Sequence, residues 1–332
     1  MDKIDISDVC QNYRARVIRV TPLDDCYLLE TNRGPKELHV WPRVDVMRWS
    51  FAWRERLARH GFRELERFIR TREAKPFLIV GKRGVTMTDH LRHIEACVPG
   101  EEFAKQSGRV VGMMHLSQQE SPILAGADYL KQEQMNAESK WAQAKAVVES
   151  YRATYGKQKG EKRWVAELMS PLLQRMERSA MMLSLDSIAP DSVTVAHRDL
   201  LRDNWGIVNG KLYLRGFFRP SLSIQQRDVA NYLRDMYLTH TDIRQIDAFL
   251  DGYEEVKPLQ YSDYTLMLAF MARPREVWKS VETYVKRVSR NKEVSAASIE
   301  QALQSQQAVD QLLRHIADRA ERSRGEGVDE PL

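Results

Sequence analysis

Val195-Ala196-His197-Arg198-Asp199-Leu200-Leu201-Arg202-Asp203-Asn204-Trp205 is the stretch around which the chain is organised. It sets an acid, Asp199, and a carboxamide, Asn204, at the two ends of a short turn, with His197 just ahead of the acid. A carboxylate so held can take the proton of an attacking hydroxyl, and a carboxamide can hold a divalent cation beside a phosphate chain. Each group needs its own fixed place, which a short rigid loop provides. Such a loop does chemistry only with partners supplied by other parts of the chain.

Downstream, Gly206-Ile207-Val208 and Lys211-Leu212-Tyr213-Leu214 flank Asn209-Gly210, a strong hairpin signal. The remainder reads as helices over 227–238, 243–253, 262–270, 274–288 and 298–320, and the Gly-, Pro- and charge-rich segment 323–332 is expected to be a disordered tail. Upstream, helical spacing runs over 101–115, 129–155 and 164–185, the last two separated by Gly156-Lys157-Gln158-Lys159-Gly160. Met181 and Met182 read as core filler. The beginning of the chain alternates apolar and polar residues over 15–20, 26–31 and 36–40, with turns at Pro22-Leu23-Asp24-Asp25 and Asn32-Arg33-Gly34-Pro35. A helix over 44–60 follows, capped by Gly61, and then a hairpin over 77–88 turning at Gly81-Lys82-Arg83-Gly84. The predicted architecture is α+β and bilobal: an N-lobe of antiparallel sheet plus one main helix over 1–96, and a helical C-lobe over 97–322.

The 332 residues suffice for two lobes, and a 43% hydrophobic, 29% charged composition suits a globular core. The net charge of +5 reads first as a solvated basic surface and second as attraction to anionic ligands. With no zinc-finger spacing or RNP-like aromatic string, nucleic acid is not an expected partner. Cys10, Cys26 and Cys97 are few and far apart, so neither a disulfide framework nor a metal motif is expected, and a cytoplasmic location follows. Membrane insertion is not expected.

The catalytic-loop pattern, the order of elements and three further segments together resemble the aminoglycoside phosphotransferase and choline-kinase-like group of protein-kinase-like folds. Those segments are Gln226-Arg227-Asp228-Val229-Ala230, Phe249-Leu250-Asp251-Gly252-Tyr253 with Pro258-Leu259, and the link from Gly61-Phe62 to Phe68-Ile69-Arg70-Thr71. Within the group the likeness is to the spore-coat CotS-like family, and it spans about residues 13–320. The resemblance implies Asp199 as base, Asn204 as a magnesium ligand, and His197 and Asp228 as structural supports of the loop.

The resemblance also shows departures. The family's metal-binding turn carries an Asp as main magnesium ligand. Here the turn is Leu214-Arg215-Gly216-Phe217-Phe218-Arg219, and counting back from Asp228 puts Gly216 at that Asp. The third strand carries a phosphate-clamping Lys in the family, where this chain has His39, largely neutral at pH 7. Lys36, three residues away, would face the other side of a regular strand. The nucleotide-covering turn at 22–25 has no glycine and two acids. Glu55 and Glu64 are candidates for the helix Glu that would pair the strand Lys. Two readings result. In the first, the chain is a degenerate kinase-like (pseudokinase) protein, needing no cofactor and assembling with other proteins of the spore coat. In the second, it is an active kinase using ATP and Mg2+ to phosphorylate a small molecule's hydroxyl, with Asp199 as base. The first is the expectation, because losses at Gly216 and at His39 are independent.

Overall fold

The computed structural model describes residues 4–24, 26–91, 94–119, 126–183, 195–196, 200, 204–216, 223–290, 292 and 295–326. The N-lobe is built on an antiparallel sheet of β1 (Val17–Pro22), β2 (Tyr27–Thr31), β3 (Lys36–Trp41), β4 (Leu78–Val80) and β5 (Arg83–Asp89), in the spatial order β1-β2-β3-β5-β4. The register pairs Tyr27 with Leu38, Leu38 with Met87 and His39 with Thr86. Side chains alternate across a strand, so this register sorts them into two faces. Tyr27, Leu29, Leu38, Val85 and Met87 make an apolar face. Glu37, His39, Thr86 and Thr88 make a polar one, with Cys26 beside them at the start of β2.

The apolar face is covered by α1 (Ile6–Gln11), a helix that the sequence reading omits. Val9, Cys10 and Tyr13 pack there against Leu29, Leu38, Val85 and Met87. Each such buried aliphatic contributes about 1.5–3 kcal/mol, enough to hold a helix of six residues that could not stand alone. Asp5 caps it, its carboxylate accepting from the Ser7 N–H at 2.8 Å.

The main N-lobe helix, α2 (Val44–Arg59), bridges the lobes. Its Val46 and Met47 form a small core with Trp41. Its Trp49, Trp53 and Leu57 enter the large C-lobe core, where the Trp53 indole N–H donates to the Met114 carbonyl at 2.9 Å. Gly61, at φ +103°, ends the helix as expected.

The C-lobe comprises α3 (Glu101–Gln119), α4 (Gly126–Tyr155), α5 (Glu161–Leu183), α6 (Gln225–His240), α7 (Ile243–Glu254), α8 (Tyr261–Ala272), α9 (Arg275–Val288) and α10 (Ala297–Glu326). The last carries helix into the first residues of the segment expected to be a disordered tail. Two strand pairs lie among them: β6 (Val195–Ala196) with β9 (Ser223–Ile224), and β7 (Trp205–Val208) with β8 (Lys211–Leu214). The latter turns at Asn209 and Gly210, both at positive φ, as a two-residue hairpin requires. Helices α3 and α7 meet backbone to backbone. A Cβ on Gly108 would sit 2.0 Å from the Phe249 carbonyl oxygen, and one on Gly252 would sit 2.1 Å from that of Lys105. Met181 is 64% exposed and so is not core filler, while Met182 packs against the core from its edge.

Candidate functional site

Of the loop at 197–204, the described residues are Leu200 and Asn204; His197, Asp199 and Asp203 lie outside them. The loop's two flanks are fixed. Ala196 pairs with Ser223 across β6 and β9, and Leu200 is buried in the C-lobe core. At the far end the Asn204 carbonyl accepts from the Arg215 N–H at 2.8 Å, bringing the loop onto the turn that follows β8.

That turn holds Gly216 at φ +91°, a left-handed conformation that favours glycine. A Cβ built there would lie 2.6 Å from Asn204 Nδ2, 2.8 Å from its Cγ and 3.0 Å from its Oδ1. The side chain of the remaining amide therefore fills the space into which a residue at 216 would project. Phe217 and Phe218 lie outside the described residues. On α6, Asp228 is 1% exposed, and its Oδ2 lies 3.6 Å from Nε2 of the fully buried His115 on α3. His115 Nδ1 meets the Tyr253 hydroxyl at 2.9 Å. Burial holds the His115 imidazole below its ordinary range, with Asp228 opposing.

On β3, His39 is 6% exposed, with Nε2 3.3 Å from a Glu37 carboxylate oxygen. The other Glu37 oxygen meets His90 Nδ1 at 2.6 Å. Burial lowers the His39 pKa; Glu37 opposes, and the nearby Arg54 guanidinium lowers it further, so the ring is neutral at pH 7. Burial pushes the Glu37 carboxyl up, but its bonds to His39 and His90 outweigh that and leave it below the usual range. Arg54, on α2, is fully buried and lies flat over Phe68 at 4.3 Å from the ring centroid. Burial brings it down to about 10 against the support of Glu66, so it remains a cation. The strand thus brings Glu37 and a neutral imidazole, and the helix brings Arg54, whose charge acts on His39.

Neither Glu55 nor Glu64 joins this cluster. Glu55 lies 3.7 Å from Arg67, and Glu64 lies 3.0 Å from Lys211. Lys36 pairs with Asp89, its register partner on β5. At the turn before β2 the Leu23 N–H donates to the Cys26 carbonyl at 2.8 Å. Cys26, Glu37 and His39 present ligand atoms within 4.8 Å of one another, the one such group of Cys, His and acidic side chains among the described residues. The Cys26 thiol is pushed up to about 11 by burial and then by Glu37 and Glu66. The sequence reading missed Arg54 and the Cys26–Glu37 contact. The first has no motif, and the second needs the β2–β3 register.

Sheet, bridging helix and hairpin together have the arrangement of a bilobal protein-kinase-like fold. The chain is similar along its length to an aminoglycoside phosphotransferase from Alicyclobacillus acidocaldarius, at TM-score 0.75 and 13% identity over 97% of this chain and 98% of that one. An amicoumacin kinase in complex with AMP-PNP, Ca2+ and Ami aligns at TM-score 0.60 and 15% identity over 92% of each chain. A spectinomycin phosphotransferase bound to ADP and spectinomycin aligns at 0.58 and 14%, over 95% of this chain and 97% of that one. Residues 180–316 match the family model described as "Spore coat putative kinase YutH". No curated protein matches the sequence. Among the described residues no helix is long and apolar enough to cross a membrane.

Proposed function

We propose that the chain is a pseudokinase: a kinase-like protein whose phosphotransfer site has been lost, and which serves as a non-catalytic component assembled with other proteins of the spore coat. The observation that carries this reading is Gly216 packed under Asn204. Phosphoryl transfer is largely positioning and charge neutralisation, and the metal's main carboxylate supplies much of both. At this turn there is no carboxylate at 216, and the space beyond its Cα is taken by the Asn204 amide. His39 adds a second deficit, since a buried neutral imidazole beside a carboxylate cannot clamp a phosphate. These residues do not fit a magnesium–nucleotide complex. Coat assembly rests on the family match alone.

Thermal unfolding with ATP, with and without magnesium, tests the loss. No metal-dependent stabilisation is expected, and a rise of several degrees would overturn the proposal. Transfer of radiolabelled phosphate from ATP to a hydroxyl compound, abolished by Asp199→Ala, would establish the active small-molecule kinase instead.

A further inference from the structure

Away from Gly216 and His39, the C-lobe carries a cavity of about 400 Å3 walled by α4, α5, α6 and α9. Five cationic side chains line it, Lys140, Arg227, Arg273, Arg275 and Lys279, against the single carboxylate of Glu282. That carboxylate accepts the Trp278 indole N–H at 2.8 Å. Arg227 pairs with Glu133, whose carboxylate also accepts from the Ser223 hydroxyl at 2.7 Å. Arg275 is oriented by neutral acceptors, Asn231 Oδ1 at 3.0 Å and the Phe270 carbonyl at 3.4 Å, which fix its guanidinium without cancelling its charge. Among the described residues Lys140, Arg273 and Lys279 have no ion pair.

Three further features make this a built site. The cavity lies at the N-terminus of α9, whose N-cap, Pro274, supplies no side-chain hydrogen bond, so the positive end of a helix of 14 residues adds to the field. Arg275, Trp278, Lys279 and Glu282 recur at i, i+3, i+4 and i+7, which puts two cations and an indole on one face of that helix. Burial, and then mutual repulsion, holds Lys140 and Arg273 below their ordinary ranges and brings Arg275 down to about 10. A solvated basic surface would show exposed cations spread apart. Here Arg273 and Arg275 are half-buried and converge, with the exposed Lys140 and Lys279 at the rim, on one concavity of the size that holds small ligands.

We propose that this cavity binds a small polyanion, a phosphorylated or polycarboxylated metabolite whose oxyanions engage Arg273, Arg275 and Lys140 against the wall formed by Trp278 and Met176. Nothing in this site depends on phosphotransfer, so it stands or falls apart from the pseudokinase reading. The cations crowd one another in the free protein and are relieved by the ligand.

Calorimetry and thermal unfolding of the full chain with pyrophosphate and with citrate, each against sodium chloride at equal ionic strength, test it. At least one anion is expected to bind saturably and raise the melting temperature. Tighter binding of pyrophosphate assigns a phosphorylated ligand, and tighter binding of citrate a carboxylated one. The double variant Lys140→Ala, Arg273→Ala is expected to melt at or above the wild-type temperature without ligand. It should bind the anion about a hundredfold more weakly, roughly tenfold for each charge-assisted hydrogen bond removed. Lys159→Ala, in the loop between α4 and α5, is expected to bind as wild type does. The proposal is overturned if neither anion binds saturably, if the double variant binds undiminished, or if it melts below wild type without ligand.

Discussion

Gly216→Asp puts an acid into the turn that follows β8, where its Cβ would run into the Asn204 amide. Two terms act on it. A non-glycine residue at φ +91° carries backbone strain of about 1 kcal/mol. Its Cβ would lie 2.6 Å from Asn204 Nδ2, so the amide must swing off the turn, at about 1–2 kcal/mol more. Gly210→Ala isolates the first term, since φ there is +72° and nothing lies within 4 Å of the added carbon. In a chain of this length about 1 kcal/mol corresponds to roughly 2 °C. Gly216→Asp should therefore melt about 4–6 °C below wild type, and Gly210→Ala about 2 °C below. Adding Asn204→Ala to Gly216→Asp should recover part of the difference. Thermal unfolding by circular dichroism, with and without ATP and magnesium, reads both stability and metal binding. If Gly216→Asp melts no lower than Gly210→Ala, or gains a magnesium-dependent stabilisation by ATP, then Asn204 does not occupy the acid's place and the site is dormant rather than lost.

Arg54→Ala should cost about 3 kcal/mol or more, because it strips a fully buried cation from Glu66 and Phe68. Arg54→Lys should recover little of that loss, since an ammonium cannot lie flat on the ring; the urea midpoint measures both. His115 gives an acid-sensitive term of definite sign. Its folded pKa is lowered by burial among Tyr253, Asp228, Lys257 and Asp263, so its contribution is complete above the unfolded value of about 6.5. It is lost as pH falls from there toward the folded pKa, at up to about 1.4 kcal/mol per pH unit, and His115→Gln should flatten that part of the stability curve measured between pH 7 and 5.

What the sequence made legible was local. The Asn209-Gly210 hairpin and the helix ended by Gly61 follow from spacing along the chain, and so does the bilobal order of elements. Helix α1 escaped because six residues give too little periodicity; it exists because the apolar face made by Leu29, Leu38 and Met87 must be covered. Met181 was misread for a related reason, as α5 turns one of two adjacent methionines outward. The basic cavity was invisible because its cations come from three separate segments, and the net charge of +5 counts the whole chain without saying where its charges meet.

The placement of Arg54 near His39 was the least legible feature, and it bears most on whether position 39 could carry a cation. Position 39 alone reads as a missing cation that one substitution could replace. In the folded N-lobe, however, His39 lies within the field of Arg54, which already disfavours a proton on the imidazole. A lysine at 39 would bring an ammonium into that field with only Glu37 to offset it, and Glu37 is already engaged by His90. Relieving that repulsion would take a change at 54 as well, and such a change would remove the guanidinium that lies over Phe68. A cation at position 39 would therefore meet the charge of Arg54, held over Phe68, much as a side chain at position 216 would meet the Asn204 amide.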